Sequence, residues 1–90
     1  MANKITANGL TVGVSPKNGH KFTLEELKEI VHGEVEIVRL NRYDIMAINR
    51  DHKKNRLRKN TSATFKYHLW TGCNDTIHGD VFVGKEYEIE

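Results

Sequence analysis

Ninety residues with 38% hydrophobic and 29% charged side chains describe one ordered domain, residues 1–90, with room for a sheet and one or two helices and none for a multidomain enzyme. One Pro and no biased tract argue against long disorder, no apolar run approaches the roughly 20 residues that cross a bilayer, and the N-terminal MANKITANGL lacks the apolar core of a signal peptide. A lone Cys73 forms no internal disulfide, so a cytoplasmic protein without covalent staples is expected.

Leu10 to Val14 alternates apolar with small or polar residues and predicts a first strand, closed by the turn-rich Ser15-Pro16-Lys17-Asn18-Gly19. Next comes Phe22 to Val38, FTLEELKEIVHGEVEIV, in which the local signals agree on a capped helix feeding a strand. Thr23 and Glu26 stand at capping-box spacing, and Phe22 and Leu27 at staple positions. Leu24, Leu27, Ile30 and Val31 form an apolar stripe opposite Glu25, Glu26, Lys28 and Glu29. Gly33 is the expected left-handed stop. Val35 and Ile37 then face one side of a strand with Glu34 and Glu36 on the other, and Asn41-Arg42 reverses the chain into a hairpin. Tyr43 to Ile48 is apolar on both faces and predicts an interior strand covered on each side.

Between Ile48 and Ala63 only Leu57 is apolar, which predicts a basic loop with a short returning edge segment at Arg56 to Arg58. Ala63, Phe65, Tyr67 and Leu69 alternate as a strand would. Ala63, Tyr67 and Trp70 also recur at helical spacing behind Asn60, a good N-cap, with Gly72 placed to end the turn, and helix is the expectation. Asp80 to Val83 is the last core strand, and Tyr87 and Ile89 alternate with Glu86, Glu88 and Glu90 in an extended tail. The expected fold is therefore α+β: a small, mostly antiparallel sheet with one or two helices packed on it.

This arrangement resembles an uncharacterised family carried by bacteria, their phages and mobile elements, domain of unknown function 3846. The resemblance covers most of the chain. It rests on FTLEELKEIVHGEVEIV, the apolar strand closing in Asn49, then Asn60-x-x-Ala63-Thr64, then Asp75-Thr76-Ile77-His78-Gly79-Asp80-Val81, in that order. His32 stands where the family pattern has a second Gly, and Arg50 and His52 lie where it has an acidic residue and a Gly, which makes this loop more basic. The resemblance favours the helix after Asn60 and carries over no catalytic residue.

Chemistry-bearing residues are sparse. His68, Cys73 and His78 are of types that zinc accepts, but they lack the close pairing of zinc sites, and no metal or cofactor is expected. Cys73 has no adjacent base or Gly-rich cradle for nucleophilic work. Gly9, Gly13 and Gly19 do not form a phosphate loop. Asp75, Gly79 and Asp80 read as a turn whose carboxylates bond local amides. The distribution of charge is the better signal. Arg39 to Lys59 holds eight basic residues against Asp44 and Asp51, a charge of +6 in a chain of net +2, so the remainder carries −4.

The candidate partner-binding residues are Lys53, Lys54, Arg56, Arg58 and Lys59, in the loop 50–59. Three roles suit them: a solvated loop, contact with an acidic protein surface, or contact with nucleic acid or a phosphodiester ligand. The last is weakened because no aromatic residues interleave with the cations. The expected function is a small non-enzymatic accessory protein of a phage or mobile element that binds a host protein, as an inhibitor of host defence, without membrane contact. The mobile-element setting comes only from the family resemblance. The alternative is a nucleic-acid or phosphodiester binder that uses the basic loop.

Overall fold

The computed structural model describes residues 2–90. Five strands, β1 (Ala2–Ile5), β2 (Thr11–Val14), β3 (Val35–Arg39), β4 (Asp44–Asn49) and β5 (Val81–Lys85), form one sheet in the order β2-β1-β5-β4-β3. Every neighbouring pair is antiparallel. The helices α1 (Leu24–Val31) and α2 (Thr61–Thr71) complete an α+β fold. The last strand lies at the centre of the sheet, between the β1-β2 hairpin on one side and the β3-β4 hairpin on the other.

The two helices cover opposite faces, as the strand alternation dictates. On β4, Ile45 and Ala47 join Phe22, Leu27 and Phe82 in one buried cluster, with Ile30 of α1 packed against it. Met46 and Ile48 point the other way and join Ile5, Val81, Ile77 and Ala63 of α2. This is why the Tyr43–Ile48 run is apolar on both faces: residues 45–49 are all buried. The rings of Phe22 and Phe82 meet edge to face at 4.8 Å.

Local chemistry explains α1. Thr23 Oγ1 accepts from the Glu26 amide at 3.2 Å, and the Thr23 amide donates to Glu26 Oε1 at 3.1 Å, closing the expected capping box. The other Glu26 oxygen accepts from the Lys17 amide, so the bonds to Lys17 and Thr23 hold this carboxyl below the ordinary range. Leu27 and Val31 are buried, but Leu24 is 52% exposed: the stripe is narrower than expected because Phe22, entering ahead of the cap, occupies the core below the first turn.

The stop also differs. His32, at φ 63°, is the left-handed residue, and Gly33 does not have a positive φ. Gly33 is needed for close approach, since a Cβ there would lie 2.7 Å from Asn49 Nδ2. His32 carries a strain of about 1 kcal/mol that a glycine would not.

β1 has no counterpart among the expected strands. Its four residues place Ala2 in the α1-side cluster and Ile5 in the α2-side cluster, so alternation gives no period to read. It is a strand because β2 and β5 pair with it from both sides. The tail also differs from expectation. Glu86–Glu88 is a turn of 3₁₀ helix, and only then does Ile89 run parallel to Phe22, with the Phe22 amide donating to Glu88 O at 2.8 Å and the Glu90 amide to Phe22 O at 3.0 Å.

Two stability outcomes are expected in denaturant unfolding. Leu27→Ala should lose about 2–5 kcal/mol while Leu24→Ala stays within about 0.5 kcal/mol; equal losses would mean that the exposed side of α1 is covered. His32→Gly should gain roughly 0.5–1 kcal/mol by relieving the left-handed strain, since the contact it gives up, to Asp80, is exposed on the His32 side.

Candidate functional site

The basic loop is wound rather than splayed. β4 ends in buried Asn49, whose Oδ1 accepts from the Asp51 amide at 2.9 Å and starts a series of turns. The His52 amide donates to Asn49 O, Asn55 to Asp51 O, Arg56 to Lys53 O and Leu57 to His52 O. Arg56, at φ 55°, reverses the chain. The expected return at Arg56 to Arg58 lies slightly later. The Gly79 amide donates to Arg58 O at 2.7 Å, Lys59 bridges His78, and the Asn60 amide donates to Ile77 O at 2.8 Å. Leu57 is the anchor, seated so closely over Gly79 that a Cβ there would lie 2.8 Å from Leu57 Cδ1.

Two histidines lock this return. His52 is buried, and its Nδ1 accepts from the His78 amide at 2.9 Å. His78 Nδ1 donates to Leu57 O at 3.0 Å, the role that a carbonyl partner dictates, and its Nε2 lies 3.0 Å from Thr76 Oγ1. Burial, reinforced by His78 and Lys53, pushes the His52 imidazole below its ordinary value against the opposing pull of Asp75 and Glu36.

Lys53, Lys54, Arg56, Arg58 and Lys59 are all exposed. Lys53 is paired with Asp75, whose carboxyl is held low by that ammonium and by the Thr76 amide. Among the described residues the other four have no carboxylate within ion-pair range. Asp75 thus bonds locally, as expected. Asp80 does not: its Oδ1 accepts from the Ala7 amide at 2.9 Å and its Oδ2 meets His32 Nε2 at 3.1 Å, so it ties the β1-β2 turn and the end of α1 to the head of β5.

α2 supplies what the loop lacks in sequence. Asn60 Oδ1 caps it through the Ala63 amide at 3.0 Å, and Gly72, at φ 77°, ends it. Ala63 is buried and Tyr67 packs behind it, while Phe65 and Leu69, one turn apart on the outer side, are 65% and 67% exposed, and Trp70 is 49% exposed at the far end. The helix is apolar inside and out. A cleft of about 260 Å³ lies along it, lined by Thr61, Thr64, Phe65 and His68 of the helix together with Lys59, Asn74 and Asp75. The aromatic groups absent from the loop's own sequence therefore reach it from a helix that starts after it.

His68, Cys73 and His78 do not converge. His68 Nδ1 lies 3.1 Å from the Cys73 carbonyl oxygen and His78 is engaged as above, while the Cys73 thiol and burial push the Tyr67 phenol above its ordinary pKa. No three His, Cys, Asp or Glu side chains among the described residues are grouped to hold a metal ion, and no described helix is long and apolar enough to cross a membrane. Scans of protein-family models, of curated proteins and of solved structures returned no match to the chain.

Because the folded pKa of His52 lies below its unfolded value of about 6.5, the unfolded chain takes up the proton first. The contribution to stability is complete above that value and is lost as pH falls through the depressed one. The thermal midpoint should decline on going from neutral pH to pH about 5, and less steeply in His52→Gln, whose amide oxygen can accept from the His78 amide without titrating. Parallel declines in the two proteins would show that the imidazole does not set the slope.

Proposed function

We propose that this protein is a non-enzymatic binding module that captures an acidic partner protein on the surface shared by the outer side of α2 and the basic loop. One observation carries the reading: Phe65 and Leu69 stand exposed on α2, and Phe65 shares a cleft with Lys59, a cation of the basic loop that no carboxylate among the described residues neutralises. Aromatic and aliphatic anchors rimmed by unpaired charge match the anatomy of a protein interface, in which a few large side chains supply the affinity and the charged rim selects and steers the partner. A helix apolar on its solvent side gains by being covered.

The setting comes from the family resemblance. It is that of an accessory protein of a phage or mobile element, acting inside the cell on a host protein and inhibiting host defence. The expectation that no catalysis is involved belongs to the same proposal.

Affinity capture from host lysate tests it, with the parent chain, Leu69→Glu, and a variant with Lys53, Lys54, Arg56, Arg58 and Lys59 changed to Ser. Capture should survive nuclease, fall about tenfold or more in Leu69→Glu, and weaken with salt in the parent but not in the Ser variant. Both variants should melt with the parent, because the altered side chains are exposed. Equal capture by all three proteins would overturn the reading.

A further inference from the structure

We infer that the cleft along α2 is a binding site for one nucleotide unit, an aromatic base carrying a phosphate or phosphodiester. This goes beyond protein capture, with which it shares Phe65 and Lys59, and is separable from it at Leu69, which lies outside the cleft lining.

Thr61, Phe65 and His68 recur at three and four residues and line one side of the cleft over about 10 Å of helix. At the head of that line Lys59 presents an ammonium with no ion-pair partner among the described residues, beside the Thr61 hydroxyl. One turn further, the ring of Phe65 faces solvent with no aromatic partner. Asn74, from the segment that follows the helix, also lines the cleft and has a side-chain amide that no described group engages. The one carboxylate in the lining, Asp75, is neutralised by Lys53 and so does not repel an anion as a free one would.

The order of these groups is that of a nucleotide. A cation and a hydroxyl stand where a phosphate would sit, a phenyl face with an imidazole after it where a base would stack, and the same lining holds an amide with a donor and an acceptor for the base edge. Inorganic phosphate alone would leave Phe65 unused. A purely apolar ligand would strip water from Lys59 and Asn74 without replacing it. The volume of about 260 Å³ lies at the lower end for ligand sites, which suits a single nucleotide unit and excludes an enclosed dinucleotide.

The probes are the four ribonucleoside monophosphates, inorganic phosphate, and single-stranded oligonucleotides of matching base, added to the full chain and followed by amide and aromatic NMR shifts. A nucleotide should produce saturable shifts at Lys59, Phe65, His68 and Asn74, with phosphate alone at least tenfold weaker. Phe65→Ala and Lys59→Gln should each weaken binding roughly tenfold with an unchanged melting midpoint, and Leu69→Glu should leave it intact. The oligonucleotide identifies the source. A strand that binds far more tightly than its mononucleotide, with a steep salt dependence that involves Arg56 and Arg58, makes the site part of a single-strand path. Equal affinity makes the ligand a free nucleotide. The inference is overturned if no nucleotide shifts the cleft at millimolar concentration, or if Phe65→Ala binds as the parent does. It is also overturned if phosphate alone matches the nucleotides, which is simple ionic association.

Discussion

Asn49 and Asn60 are buried, and each uses its side-chain amide to join one helix to the sheet. Asn49 closes the end of α1: its Nδ2 donates to Val31 O at 3.0 Å and His32 O at 3.2 Å, while its Oδ1 starts the basic loop. Asn60 opens α2: its Oδ1 caps the Ala63 amide, and its Nδ2 donates to Ile5 O at 3.0 Å and Gly79 O at 2.9 Å. The bonds to Val31 O, Ile5 O, Gly79 O and the Ala63 amide are buried, where leaving a polar group without its partner costs about 1–3 kcal/mol. Neither position tolerates an apolar replacement, because the helix ends and strand ends around them carry the complementary polar atoms.

The two amides also fix everything between them. Residues 50–59 leave from one buried asparagine and return to the other, so the most basic segment of the chain is anchored at both ends and packed in the middle by Leu57 and His52. Two of the loop's charges are consequently held beside the cleft along α2, Lys53 through Asp75 and Lys59 in the lining itself. A mobile loop would present the same charges at a greater entropic cost on binding. Placement of β5 between β1 and β4 serves the same end, because the segment from Asp75 to Asp80 must run alongside the returning loop before it enters the sheet.

α2 packs with a small inner side and leaves large apolar residues on its outer one. Its inner residues, Ala63 and Tyr67, suffice to cover the sheet face because Ala63 lets the helix approach closely and Ile77, Leu40 and Ile5 fill the space around it. That economy leaves Phe65, Leu69 and much of Trp70 outside. Nothing in the packing of the described residues uses them, whereas on α1 the large apolar residues other than Leu24 turn inward. The asymmetry between the helices is the observation on which the proposed interface rests.

The sequence by itself determined the elements whose signals are local. The α1 capping box, the Asn60 cap and Gly72 stop of α2, the turn at Asn41 and the doubly apolar β4 are all set by neighbours within a few residues, so spacing and residue type were enough. Fold class followed from those elements in order. It also marked the loop's charge and its single anchor, Leu57. Tertiary structure alone decided the remainder. β1 carries no period because it divides two apolar residues between two faces, and it exists only through its partners. The left-handed stop fell to His32 because Asn49, from another element, needs the space at Gly33. Asp80 found the Ala7 amide, 73 residues away, where a local turn bond was expected. The candidate site is the clearest case. Its cations and its aromatic rings belong to consecutive segments that no spacing relates, and they meet because Asn60 and the Lys59–His78 bridge turn α2 back along the loop. Contacts of that kind depend on where the chain returns, a property that residue order encodes only through the completed fold.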